Sequence, residues 1–384
     1  MNSVLKFISA LTFQLLDWIF PKDRNVHVVS GQRGARYFDN SRYLFEAMLL
    51  HCKNGRVYWM YRGPSVPVLP KGAVAVKISS LKGLYIALRA KTVFVSYGCA
   101  DFGWLRFSRR KVFVQLWHGA PVKEIFLGQR NLSRAARLKN YVEISHYSYF
   151  IVSSQLEKEL VQAQTRMQND RIKILGYPRN DELKQPTKST LEEVSSIRSN
   201  FSKVILFAPT FRESGVSPFS SISSNAWNGI HAALEHYNAL LIIRAHATEF
   251  VFRADDTAIN IAKNFSRIKF AGNDKYLDVQ ALMLASDILI SDYSGIIIDY
   301  LLLERPIVQY VFDEDAYHHA RGLSFLTKEF PFGFVARSDD ELLDNLRLVL
   351  SGEKNPKSKE LKNIFHEGDS RTASAKILEF LEIS

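Results

Sequence analysis

Four short segments of this 384-residue chain put imidazole, cationic or hydroxyl side chains directly after an apolar run, where chemistry can be done. Residues 112–123, VFVQLWHGAPVK, run from apolar sequence into Trp117-His118-Gly119. A histidine titrates near neutral pH, so His118 can take a proton from a hydroxyl as general base; the alternative is a structural hydrogen-bonder. Residues 239–249, ALLIIRAHATE, carry Arg244 and His246 two apart, on one side if the run is a strand. A guanidinium beside an imidazole suits a phosphate or pyrophosphate, although Arg244 would serve equally as the buried partner of an acid. In DILISDYSGIIIDY, residues 287–300, Ser291, Asp292, Ser294 and Gly295 mark a strand-to-helix junction. Unpaired N–H groups and the helix dipole favour an anion there, and a simple N-cap is compatible with that role. In VILFAPTFRE, residues 204–213, a proline ends the run before Thr210 and Arg212.

Three further segments carry weaker signals. GYPRND contains Asn180 and Asp181, and residues 313–317 with Arg321-Gly322 read as a lid or nucleotide contact. The glycine-rich SGQRGARYFDNSRYLFE, residues 30–46, does not match G-x-G-x-x-G, which argues against a dinucleotide.

These groups need strands to hold them. Apolar, β-branched runs occur at 25–30, 56–60, 92–96, 112–117, 149–153 and 172–175, then at 204–208, 239–244, 268–271, 287–291 and 306–311. Helical patterns at 41–52, 154–164 and 295–303 lie between them, an alternation that predicts parallel, doubly wound α/β sheets. A polar, serine-rich break at 185–202 divides the runs into two Rossmann-like domains, 21–190 and 191–370, facing one another across a cleft. The helix at 371–384 has no partner strand and is expected to pack back on the first domain. In open α/β sheets ligands bind beyond the carboxyl ends of strands, where these motifs fall.

Residues 1–20 contain an apolar stretch interrupted by Lys6, Gln14 and Asp17, too short for the roughly 20 residues of a spanning helix. On a helix, Leu5, Ile8, Leu11, Leu15, Trp18 and Ile19 share one broad face, which fits either a membrane-surface helix or a core helix. The formal net charge of +11 admits nucleic acid, an anionic membrane surface or phosphate-rich substrates. No nucleic-acid-binding signature is present, so the last two are favoured. Two cysteines make no disulfide framework, and no acidic or Cys/His cluster has metal spacing.

The motifs DNSRYLFE, QLWHGAPVK, GYPRND, FAPTFR, the RAH strand end, SDYSGIIIDYLLLERPIV and HEGDSR occur in an order that resembles the CDP-glycerol glycerophosphotransferase family, the teichoic-acid primases and polymerases of bacteria. The resemblance implies a GT-B-like fold and transfer of an alditol phosphate from a CDP-alditol such as CDP-glycerol, with release of CMP. It implies a lipid-linked acceptor, peripheral work at the cytoplasmic face of the membrane, and teichoic-acid or capsule-like products. By motif, His118 and His246 are its catalytic histidines, with Trp117 and Gly119 flanking the first. Ser291, Asp292, Ser294 and Gly295 form its donor-phosphate loop, with Thr210, Arg212 and Arg244 beside it; Asn180, Asp181 and Arg321 support. Two departures stand out: Ala247 where proline is frequent, and Gly295 where a second serine is frequent. Glycerol or ribitol, primase or polymerase, a divalent ion and self-association all stay open. The rivals are a GT-B glycosyltransferase using a nucleotide sugar and a non-catalytic membrane-surface scaffold.

Overall fold

The computed structural model describes residues 3–52, 55–210, 212, 217–244, 256–272, 279–325, 327, 330–368 and 370–383, with side chains from residue 8 onward. The chain forms two compact units: Met1–His118, Ile125–Asp181 and Glu367–Ser384 in the first, Gly119–Glu124 and Glu182–His366 in the second.

The sheet of the first unit is built from β1 (Asp23–Val29), β2 (Arg56–Tyr61), β3 (Val74–Lys77), β4 (Ala90–Val95), β5 (Val112–Gln115), β6 (Tyr149–Val152) and β7 (Ile172–Ile174). Their spatial order is β3-β2-β1-β4-β5-β6-β7, every pair parallel. The second unit contains β8 (Lys203–Phe207), β9 (Ala239–Ile243), β10 (Ile268–Phe270), β11 (Ile288–Ser291), β12 (Ile307–Tyr310) and β13 (Phe334–Ala336) in the order β10-β9-β8-β11-β12-β13, again all parallel. Central strands such as β9, ALLII, are buried at every position, because helices cover both faces of a parallel sheet. Chain order reverses between β1 and β4 in one sheet and between β8 and β11 in the other, and these switch points open the crevices that take ligands.

Two strands go beyond the sequence pattern. β3 (VAVK) and β13 (FVA) are short edge strands following Pro/Gly-rich sequence, so they lack a long apolar run. The C-terminal helix Ala373–Phe380 packs on the first unit, where Ile377 and Leu378 join Val29, Leu44 and Phe45 in one core cluster. Asp181 caps it, its carboxylate accepting the N–H groups of Ala373 at 2.5 Å and Ser374 at 2.9 Å.

Helix α1 (Ser3–Ile19) is held by a narrow stripe of Ala10, Phe13 and Asp17. Asp17 is fully buried and its carboxylate meets Lys22 and Lys111, each at 3.0 Å, and the N–H of Ser108 at 2.7 Å. Burial lowers the Lys111 ammonium to about 7, with Asp17 opposing the shift. An acid drawn inward turns the broad apolar face outward: Leu15, Trp18 and Ile19 are each more than 60% exposed, and Ile8, Leu11 and Leu16 are exposed beside them. Among the described residues no helix is long and apolar enough to cross a membrane.

Candidate functional site

In the first unit, β5 delivers the chain to Trp117, a non-glycine residue held at φ 56°. His118 follows, with its ring centroid 4.7 Å from that of Tyr97 and only 9° from parallel; Tyr97 stands just past the end of neighbouring β4. The indole of Trp117 lies 4.2 Å from the imidazole and packs on Phe126 and Phe150. Nδ1 of His118 is 3.3 Å from the carbonyl oxygen of Ser96. A carbonyl can only accept, so in the neutral ring the proton sits on Nδ1 and the lone pair on Nε2.

The backbone around this histidine is clamped from two other motifs. Asn40, at the start of α2 (Asp39–His51), donates through Nδ2 to the carbonyls of Leu116 at 3.2 Å and Trp117 at 2.9 Å. Arg179 donates through Nη1 to the carbonyl of His118 at 2.9 Å and to Asp39 at 3.1 Å, and its N–H donates to Oδ1 of Asn40 at 3.1 Å. Asn180 is buried in the same Pro178–Asn180 turn. Beneath lies Asp101, which accepts the N–H groups of Arg33, Ser96 and Tyr97 at 2.5, 2.9 and 2.9 Å. Burial pushes its carboxyl up to about 7 against the pull of those three donors. Tyr97 and Asp101 lie outside the sequence motifs, whereas Asp39, Asn40 and Arg179 fall within DNSRYLFE and GYPRND, and their contacts join segments 61 to 140 residues apart.

The second unit gathers its groups at the β8/β11 switch point. The Asp292 carboxylate accepts the N–H groups of Thr210 at 2.8 Å and Tyr293 at 2.6 Å, joining the two strand ends. Ser291 is fully buried and donates to the Ala208 carbonyl at 2.7 Å. Arg212 has every nitrogen engaged: Nη1 meets Asp292 at 2.8 Å and the Thr210 carbonyl at 2.7 Å, while Nε and Nη2 form a fork with Asp313 at 2.8 and 3.0 Å. The aromatic rings of Tyr293, Phe312 and Tyr317 surround it. Expected on a donor phosphate, Arg212 is instead saturated by two carboxylates, because an enclosed guanidinium needs its charge neutralised.

Residues 313–317 are correspondingly part of the packed unit rather than a lid: Asp313 also accepts from the Tyr293 hydroxyl at 3.1 Å, and Tyr317 is buried and stacked on Tyr293 at 4.5 Å. Arg321 is exposed at the end of the helix Glu314–Arg321, and its charge opposes the rise that burial imposes on the Tyr317 phenol. The hydroxyl of Thr210 is buried and has no hydrogen-bond partner among the described residues.

Arg244 is buried after β9 and donates to the Ala271 carbonyl at 3.0 Å. His246 and Ala247 lie outside the described residues. Ser294 and Gly295 precede the short helix Ile296–Tyr300, with Ser294 Oγ 3.5 Å from the Ile296 N–H. A Cβ at Gly295 would stand 3.5 Å from the Ala120 carbonyl, an ordinary contact, so space does not demand glycine there. His366, in the closing HEGDSR motif, is structural: its Nε2 donates to the Ile298 carbonyl at 2.6 Å, and burial holds its pKa down at about 4.

Comparison with known proteins accords with this arrangement. A teichoic acid glycerol-phosphate transferase of Staphylococcus aureus (strain NCTC 8325 / PS 47) is 26% identical over 364 residues, covering 91% of this chain and 90% of that protein. A teichoic acid glycerol-phosphate primase of Bacillus subtilis (strain 168) is 22% identical and covers 99% and 97%; a poly(glycerol phosphate) polymerase of the same strain is matched over only 45% of its length. Among solved structures, the wall teichoic acid polymerase TagF superposes with a TM-score of 0.79 at 23% identity, covering 100% of this chain and 98% of that one. A UDP-GlcNAc 2-epimerase from Methanocaldococcus jannaschii follows at 0.58 and 14%, covering 93% and 99%, consistent with a GT-B-like α/β fold. The family profile described as CDP-glycerol:poly(glycerophosphate) glycerophosphotransferase matches residues 12–382, and the chain belongs to that family.

Proposed function

We propose that the chain transfers glycerol phosphate from CDP-glycerol to a hydroxyl of a lipid-linked acceptor in teichoic-acid synthesis, releasing CMP. The observation that carries this reading is the place and orientation of His118 in a family member: it follows β5 with Nδ1 turned to the Ser96 carbonyl, so in the neutral ring the lone pair lies on Nε2. In the reaction Nε2 takes the acceptor hydroxyl proton, the oxygen attacks the glycerol-bearing phosphorus, and the bond from that phosphorus to the oxygen of CMP breaks. Little covalent chemistry is asked of the protein; alignment and charge stabilisation lower the barrier.

The second unit is assigned the donor. Thr210, past the end of β8, offers a hydroxyl uncommitted among the described residues, and Ser294 with the backbone at Gly295 follows the end of neighbouring β11. Arg244 and His246, assigned by their motif, meet the charge that grows on CMP, while Arg212 and Asp292 position the Thr210 turn. Peripheral attachment at the cytoplasmic face is assigned to α1, whose exposed Leu15, Trp18 and Ile19 suit the boundary between headgroups and acyl chains.

The test is incubation with CDP-glycerol and a lipid-linked or glycerol-phosphate-primed acceptor, with CMP as the readout. CMP release that requires the acceptor is expected. Turnover with a nucleotide sugar and none with CDP-glycerol would overturn the assignment in favour of glycosyl transfer.

A further inference from the structure

Away from His118, the first unit contains a cavity of about 670 Å³ between α1, the loop that follows Ala100 and the helix Arg134–His146. Its wall has two characters. Leu11, Trp104, Phe107 and Phe113 give an apolar side, and Arg62, Arg106 and Arg109 a cationic one. Among the described residues no aspartate or glutamate lines it.

Among the described residues the three arginines have no carboxylate partner. Arg62 donates only to the carbonyls of Arg33 and Ala100, Arg106 only to those of Gly103 and Leu105, and exposed Arg109 forms no ion pair among the described residues. The carboxylates of this region are engaged elsewhere: Asp17 by Lys22, Lys111 and the N–H of Ser108, Asp101 by three backbone N–H groups, and Glu143 by the N–H of Cys99 and the hydroxyl of Tyr147. Three unneutralised guanidinium groups around one cavity call for an anion. The aromatic wall is rigid, since Phe13 of α1 meets Trp104 and Phe107 edge to face at 6.1 and 5.7 Å. Leu11 joins the cavity to the outside, because it both lines the wall and belongs to the exposed apolar face of α1.

We propose that this cavity holds one anionic phospholipid drawn from the membrane, its headgroup phosphate among Arg62, Arg106 and Arg109 and its first chain carbons against Trp104 and Phe107. The inference rests on the membrane assignment of α1 and adds to it a defined lipid site. An apolar wall opening onto an apolar helix face suits an amphiphile, whereas free phosphate would use only the cationic side. Bound this way, the lipid anchors the unit by chemical recognition as well as by burial of Leu15, Trp18 and Ile19.

The experiment measures vesicle binding and tryptophan quenching by lipids brominated in their chains. The full chain is mixed with phosphatidylcholine vesicles, alone or containing phosphatidylglycerol, with folding of each variant checked by circular dichroism. In a Trp18→Phe variant, brominated phosphatidylglycerol is expected still to quench emission, and the further change Trp104→Phe removes that quenching. Arg106→Gln and Arg109→Gln weaken binding to phosphatidylglycerol vesicles by about fivefold for each charge lost, leaving phosphatidylcholine binding unchanged. Quenching abolished by Trp18→Phe alone, with vesicle binding retained, overturns the lipid site and leaves the membrane assignment standing. Binding to neither vesicle overturns both. Thermal stabilisation by inorganic phosphate that needs Arg106 and Arg109, without chain quenching, makes the cavity a phosphate site and overturns the lipid proposal.

Discussion

The guanidinium of Arg179 holds the carbonyl oxygen of His118 at 2.9 Å while its same nitrogen meets Asp39 at 3.1 Å. The cation reaches the histidine's backbone, 61 residues away in sequence, and fixes the turn that carries the imidazole. Trp117, at φ 56°, sits in a conformation that costs a non-glycine residue energy, so the surrounding bonds must hold it.

Arg179→Lys is therefore expected to lower kcat while leaving the KM for CDP-glycerol near its parent value. A lysine keeps the charge but lacks the planar fork. A displacement of about 1 Å can cost about a hundredfold in rate. Steady-state kinetics that instead show a raised KM at constant kcat would assign Arg179 to donor binding.

His118→Ala should reduce CMP release by about 10²- to 10⁴-fold, the usual range for a positioned general base. The fold should survive, since the ring of His118 is only partly buried at the end of β5. Near-parental turnover in a folded variant would remove His118 from the chemistry.

Thr210→Val separates binding from stability. A buried hydroxyl without a partner costs about 1–3 kcal/mol, so replacing it with a methyl should leave the unliganded protein unchanged or more stable. If the hydroxyl meets the donor, the rise in melting temperature caused by CDP-glycerol shrinks in the same variant. Equal donor stabilisation in both proteins would show that the hydroxyl does not serve the donor.

Asp17→Asn leaves Lys22 and Lys111 without their shared carboxylate. Breaking such a buried cluster typically costs about 3–5 kcal/mol, and here the loss falls on the first unit. Denaturant unfolding should report it, together with faster proteolysis within α1.

His366 supplies a pH dependence whose sign follows from its depressed pKa. Between the ordinary value of 6.5 and about 4, the unfolded chain binds a proton that the folded chain refuses, so stability falls as pH drops through that window. From pH 6.5 to 5 the loss from this group is about 1.5 kcal/mol. His27, also lowered to about 4 by burial, adds a slope of the same sign, while Asp101, raised to about 7, opposes both. His366→Gln should flatten the loss measured between pH 7 and 5; an unchanged slope would mean the histidine is already charged in the folded chain.

The sheets were legible because parallel strands buried on both faces read as unbroken apolar runs, as ALLII in β9 does. β3 and β13 escaped because edge strands need no such run. His118 and Thr210 were legible because strand ends bracketed by Gly or Pro mark where a ligand can approach. The carboxylates around Arg212 were not, since Asp313 lies 101 residues away and only folding brings the pair together. Asp17 was read as a polar interruption of an apolar helix; its burial is what sets which face of that helix meets solvent.

The cap that Asp181 places on the helix Ala373–Phe380 bears on the order in which the protein is made. Ile377 and Leu378 complete the core around Val29 and Leu44, yet they leave the ribosome only after the whole second unit has been synthesised. The second unit can close its sheet while still tethered to the translation machinery. The first must wait with an open seam until the last helix emerges, so the half of the protein that is translated first is the half that finishes folding last.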